Sequence, residues 1–127
     1  MIICIESPCK PIGEFSFDNN RQYLRNAMQV VFREGHIPIA SHALYAFSGM
    51  LDDNNPTERA LGIKAGFELA KRADEAWFFM DHGMSSGMKA AQKHWLKMQM
   101  PIRMLYIGAS RFDTSEFAKP LGLKELC

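Results

Sequence analysis

The sequence predicts an α/β fold in which a parallel sheet of four or five strands lies between layers of helices, and three observations carry that prediction. Short apolar runs alternate with amphipathic stretches of helical period along the chain. The run Ala76-Trp77-Phe78-Phe79-Met80 is apolar without a break, as expected of a strand buried on both faces at the centre of a parallel sheet. Strands that alternate with helices imply right-handed crossovers, which cover both faces of the sheet.

The elements follow in order. Residues 2–6 form the first strand, and the turn-rich Ser7-Pro8-Cys9-Lys10-Pro11-Ile12-Gly13 breaks it. Tyr23, Leu24, Ala27, Met28, Val30 and Val31 keep a helical period through about residue 34, where Gly35 supplies the stop. His36-Ile37-Pro38-Ile39-Ala40 resumes as a strand, and Pro38, lacking a donor, assigns it to a sheet edge. Asn55 as N-cap, Pro56 at the first helical position and Glu58 reaching back start a helix that runs to about Ala73, with Ala60, Ile63, Phe67 and Ala70 as its buried stripe. Met88, Ala91, Trp95 and Met98 line the next helix, Pro101 ends it, and Ile102 to Ile107 supply a fourth strand. Asp113 to about Lys119 is expected to form a short last helix. Trp77 and Trp95 fall on core stripes and read as packing residues.

With 127 residues the chain is read as a single domain, 1–127. Fifteen Lys and Arg against fourteen Asp and Glu leave a net charge of +1, which argues against a nucleic-acid polymer or a membrane surface as partner. Met1-Ile2-Ile3-Cys4-Ile5 reads as a strand rather than a signal peptide, and no stretch is long enough to span a bilayer. Cys4, Cys9 and Cys127 lack metal-ligand spacing and fit reduced thiols, so the expected location is the cytoplasm and no metal or cofactor is expected.

In open parallel sheets, ligands gather beyond the carboxyl ends of the strands. That rule selects the loops at 7–17, 41–55, 81–87 and 108–112. The segment Asp81-His82-Gly83-Met84-Ser85-Ser86-Gly87-Met88 stands out, because it sets hydroxyls and free backbone amides at the start of a helix, directly after the apolar strand. Ser85, Ser86, Gly87 and Met88, with Ser7 from the first loop and Arg21 or Arg111 as charge partners, therefore read as a phosphate cradle; an ordinary serine N-cap and glycine turn is the plainer alternative. His42 and His82 are candidates for base contact or proton transfer, with backbone tethering as the alternative, whereas His36 opens a strand and reads as structural. Asp52-Asp53 with Arg59 form either a sugar contact or an ion pair that anchors the loop. Tyr45, Phe47 and Met50 are apolar residues in a loop, suited to stacking on a base or to meeting a neighbouring subunit.

Several short segments together resemble one family. Ile5-Glu6-Ser7-Pro8, Gly35-His36-Ile37-Pro38-Ile39 with Ser41-His42, Leu51-Asp52-Asp53 with Pro56 and Glu58-Arg59, Leu61-Gly62-Ile63, Asp74-Glu75-Ala76-Trp77 and Ser85-Ser86-Gly87-Met88 are similar, in this order over residues 2–107, to small proteins of bacteria and phages related to nucleoside 2-deoxyribosyltransferases. The resemblance implies a flavodoxin-like or Rossmann-like sheet, a homodimer or larger homo-oligomer, and a nucleoside or nucleotide whose N-glycosidic bond is cleaved or exchanged. It also implies a catalytic glutamate four residues past the glycine of the helix-start motif, a position that Ala91 occupies. An aromatic residue commonly follows Ser-Pro in the family, and here Cys9 stands there. Glu6 and Asp81, at the ends of the first and third strands, are the candidate replacements for the missing carboxylate, with turn capping as their alternative role. Cys9, His42, Asp53 and His82 are the candidate base or sugar contacts. Two readings follow: an enzyme acting on the N-glycosidic bond of a nucleoside or nucleoside monophosphate, or a catalytically inactive protein that senses or sequesters a nucleotide.

Overall fold

The computed structural model describes residues 1–108 and 124–125. Its elements run β1 (Ile2–Glu6), α1 (Phe17–Arg33), β2 (Ile37–Ile39), a π-helical turn (His42–Ala46), α2 (Pro56–Ala70), β3 (Glu75–Phe79), α3 (Ser86–Lys97), β4 (Ile102–Tyr106) and β5 (Lys124–Glu125). The sheet has five strands in the order β2-β1-β3-β4-β5. The first four are parallel, and β5 joins β4 antiparallel through Leu105 opposite Glu125 and Tyr106 opposite Lys124. β2, with Pro38, is the edge expected of it. The helix expected near residues 113–119 lies outside the described residues.

Strand alternation divides the core in two. Ile3 and Ile5 of β1 with Trp77 and Phe79 of β3 pack against Tyr23, Leu24, Ala27 and Val31 of α1. On the opposite face Cys4, Ala76 and Phe78 pack against Ala70 of α2 and Met88, Ala91 and Trp95 of α3. Glu6 shares the parity of Cys4, so the strand geometry directs it toward the α3 face.

Local chemistry starts each helix. Ser16 caps α1 in a reciprocal box with Asn19, its hydroxyl accepting from the Asn19 amide at 3.1 Å while its own amide donates to the Asn19 side chain at 2.9 Å. Gly35, at φ +86°, follows the end of α1 in a conformation that an L side chain resists. Asn55 caps α2 through the amides of Thr57 and Glu58 at 3.0 and 3.1 Å. Glu58 does not reach back to the cap as expected; its carboxylate accepts from the Asp52 amide at 3.3 Å, because Asn55 already gives its own amide to the Asp52 carbonyl.

Two stripes differ from expectation. In α2 only Ala70 is buried; Ala60 and Ile63 are exposed and Phe67 is half-buried, because this helix sits over a cleft rather than flat on the sheet. Met98 is exposed, since α3 closes at Lys97 and Met98 caps it.

At the carboxyl end of the sheet, Asp81 is fully engaged. The Tyr23 hydroxyl donates to its Oδ1 and accepts from its backbone amide at 2.9 Å, while the amides of Ile107 and Gly108 donate to its two carboxylate oxygens at 3.0 and 2.9 Å. This contact joins α1 to the ends of β3 and β4. Tyr23→Phe keeps the buried ring but removes the hydroxyl, and it is expected to lower unfolding stability by about 1–3 kcal/mol, the range for stripping a partner from a buried polar group. Urea unfolding midpoints measure this, and an unchanged midpoint contradicts it.

Candidate functional site

A cleft of about 290 Å³ opens at the carboxyl ends of β1 and β3, bounded by the π-helical turn, α2 and the first turn of α3. Glu6 and Ser7 stand at its base, where β1 ends. The Trp95 indole N–H donates to Glu6 Oε1 at 3.1 Å, and the Cys4 thiol lies 3.8 Å from the same oxygen. Among the described residues, Oε2 accepts no hydrogen bond. Burial raises the Glu6 carboxyl to about 7, and the two donors oppose that rise.

Ser7 Oγ and His42 Nε2 are 2.8 Å apart, both in the cleft wall. Burial pulls the imidazole down to about 4, so His42 is neutral through the physiological range. It comes from the π-helical turn, closed by the Phe47 amide on the His42 carbonyl at 2.8 Å. That turn presents His42, Tyr45 and Ala46 to the cleft, while Ala43 and Phe47 pack toward the core. The turn seats on α2 at Gly66, where a Cβ would lie 2.6 Å from the Ser41 hydroxyl. Only glycine permits so close an approach.

The opposite wall carries charge. Arg59 Nη1 pairs with Asp53 Oδ2 at 2.8 Å, both side chains mostly buried. Arg59 Nη2 is 3.7 Å from the point where a Cβ on Gly87 would stand, so the guanidinium lies beside the first turn of α3. Ser85 caps that helix, its hydroxyl accepting from the Met88 amide at 3.1 Å. Lys10 also lines the cleft. Cys9 lies near Asp53, and burial, reinforced by that carboxylate, raises its thiol to about 12; it is a protonated thiol rather than a nucleophile.

The cleft therefore brings together Glu6, Ser7, Cys9, His42, Asp53, Ser85, Ser86, Gly87 and Met88 of the residues singled out from sequence. Asp81 and His82, also singled out from sequence, are not among its walls. Asp81 is consumed by Tyr23 and the amides after β4. His82 is stacked between Phe15 and Tyr23 at ring-centroid distances of 3.8 and 4.1 Å, and its Nδ1 bonds to Asn20 Oδ1 at 2.9 Å. Arg21 pairs with Asp18 and lies away from the cleft, and Arg111 is outside the described residues. Ala91 is buried against Trp95 and Cys4. Among the described residues, no group of His, Cys, Asp and Glu is arranged to hold a metal, and no helix is long and apolar enough to cross a membrane.

The profile of a family described as Domain of unknown function (DUF7768) matches residues 1–105. The chain belongs to the DUF7768 family. No curated protein matches this DUF7768 chain. Its fold is similar to a solved structure of a 2-deoxyribosyltransferase from the psychrotolerant bacterium Bacillus psychrosaccharolyticus, described as a biocatalyst for the synthesis of nucleosides, at a TM-score of 0.64 and 15% identity, covering 87% of this chain and 75% of that one. At this identity the likeness establishes the parallel α/β fold.

Sequence reasoning missed Lys10 as a wall of the DUF7768 cleft. Lys10 is hidden in a loop whose path is set by Asn20, which donates to the Lys10 carbonyl at 2.8 Å. Arg59 was visible as a partner of Asp53, and Gly62 and Gly66 at helical spacing were the signal that α2 presents a close-approach face beside it.

The ionisation of Glu6 has a sign that stability reports. Between its ordinary value of 4.5 and about 7 the folded chain holds a proton that the unfolded chain releases. Its contribution is therefore present below that window and lost as pH rises through about 7. Glu6→Gln is expected to remove this loss, so its stability relative to the parent should rise by about 3 kcal/mol between pH 4 and 8. Parallel pH–stability curves in denaturant unfolding contradict it.

Proposed function

We propose that this chain binds a nucleoside or nucleoside 5′-monophosphate in the cleft and breaks its N-glycosidic bond. The observation that carries the reading is one cleft, at the ligand end of a parallel sheet, holding a carboxylate at its base and amides, hydroxyls and a guanidinium at its rim. The likeness to a 2-deoxyribosyltransferase fold supports the nucleoside class.

Ser85, Ser86, Gly87 and Met88 with Arg59 are the proposed seat of the phosphate, since the Ser86 and Gly87 amides at a helix start and a nearby cation favour an anion. Ser7, Cys9, His42 and Asp53, which line the cleft, are the proposed contacts to sugar and base. Glu6 is the proposed catalytic group. As the bond between C1′ and the base nitrogen breaks, its electron pair leaves with the base, which takes a proton from solvent, and positive charge develops at C1′. Ionised Glu6 stabilises that charge or adds to it, and water supplies the hydroxyl of the released sugar. Turnover at low substrate should rise with pH through about 7, as Glu6 ionises. Self-association belongs to this reading, and Leu61, exposed on α2, is a residue that a second copy would cover.

The alternative of an inactive nucleotide binder is favoured by Ala91, which cannot attack or stabilise a cation. Incubation with nucleosides, deoxynucleosides and their 5′-monophosphates, followed by chromatography, separates the two. The enzyme releases free base over repeated turnovers, and Glu6→Gln lowers the rate by at least about 100-fold, as expected for loss of a covalent or electrostatic catalyst. Intact nucleotide retained on the protein without free base overturns the enzyme and leaves the binder. Arg59→Gln is expected to raise KM for the monophosphate about tenfold and to leave that of the nucleoside unchanged, the loss of one charge-assisted hydrogen bond. Equal effects on both would remove Arg59 from the phosphate seat.

A further inference from the structure

β1 and α3 meet on one face of the sheet. Cys4 and Glu6, two residues apart on β1, point the same way, and Ala91 and Trp95, four apart on α3, stand one turn apart on the same helix face. Cys4, Ala91 and Trp95 belong to one buried cluster. Trp95 is 1% exposed, yet its indole N–H finds its partner on another element, at Glu6 Oε1, 3.1 Å away. The Cys4 thiol reaches that same oxygen, so both donors meet Oε1. The carboxylate is thus gripped from the core side by one oxygen only.

Resting on the reading of Glu6 as the group beneath the sugar, we propose that Trp95 is the positioning residue of this site, fixing Oε1 of Glu6 so that Oε2 serves the cleft, and that the small side chain of Ala91 keeps a second carboxylate away from Glu6 one turn before Trp95. An indole donor suits this task. It is rigid and apolar elsewhere, so it orients a carboxylate without admitting water to the core. It also favours the ionised form, opposing the burial that favours the acid. A second carboxylate one turn before Trp95 would undo that balance by like-charge repulsion.

The test is the ionisation of Glu6, followed by carbon-13 NMR of carboxyl-labelled protein with no nucleotide present and assigned by loss of the signal in Glu6→Gln. Trp95→Phe keeps an aromatic ring in the core and removes the N–H. Its Glu6 midpoint is expected to rise by about one pH unit, the usual effect of losing a hydrogen bond to the charged form. An unmoved or lowered midpoint in a folded variant overturns the positioning role. Ala91→Glu is expected to raise the midpoint as well, and no rise overturns the claim about Ala91. In turnover, Trp95→Phe should lower kcat more at pH 6 than at pH 9 with KM unchanged, whereas an equal loss at both would mark a structural role alone. Because the NMR titration needs no turnover, a parent protein that releases no base would sink the enzyme reading while the titration still decided the role of Trp95.

Discussion

Asp81 holds the carboxyl end of this sheet together. Its carboxylate takes the hydroxyl of Tyr23 from α1 and two backbone amides beyond β4, and its own amide gives to the same hydroxyl. A partly buried carboxylate needs donors to replace the water it loses, and here three supply them. The consequence is geometric. With α1, β3 and β4 tied at one point, His82 turns under Phe15 and Tyr23, Asn20 fixes the loop at Cys9 and Lys10, and the chain after β3 is aimed at the start of α3. The wall of the cleft that carries Ser85 to Gly87 therefore depends on a residue outside the cleft.

The ends of β1 and β3 each carry a carboxylate, and their environments separate their roles. Asp81 is saturated by donors. Among the described residues Glu6 receives only Trp95 and the weak Cys4 thiol, and burial keeps its carboxyl near 7, so small changes in its surroundings shift its charge near neutrality. His42 moves the other way, to about 4, and contributes a neutral ring whose hydrogen bond to Ser7 is insensitive to physiological pH. Its contribution to stability is lost as pH falls from 6.5 through about 4, opposite in direction to that of Glu6. The pair divides the base of the cleft into one group whose charge varies near neutrality and one whose charge does not.

The β–α alternation was legible because β1, β3, α1 and α3 each bury an apolar stripe, from Ile3 and Ile5 to Met88 and Trp95. The edge position of β2 could be read from the missing donor of Pro38. The stripe of α2 could not be read, since its apolar residues are spread around the helix and Gly62 and Gly66 face the cleft while Leu51 packs beside Gly62. Residues at strand ends were the hardest to orient. Asp81 and His82 follow an apolar strand just as Glu6 does, and their direction was decided by the partner Tyr23, distant in sequence. The π-helical turn was equally hidden, because its extra residue leaves no periodic signature in a loop.

The central claim is that a nucleotide lies in this cleft with its sugar over Glu6. A crystal structure of Glu6→Gln with a bound nucleoside 5′-monophosphate tests it most directly. The account predicts C1′ within van der Waals contact of the side chain at position 6 and the phosphate against the amides of Ser86 and Gly87. A nucleotide bound elsewhere, or seated in the cleft with its sugar turned away from position 6, would contradict it.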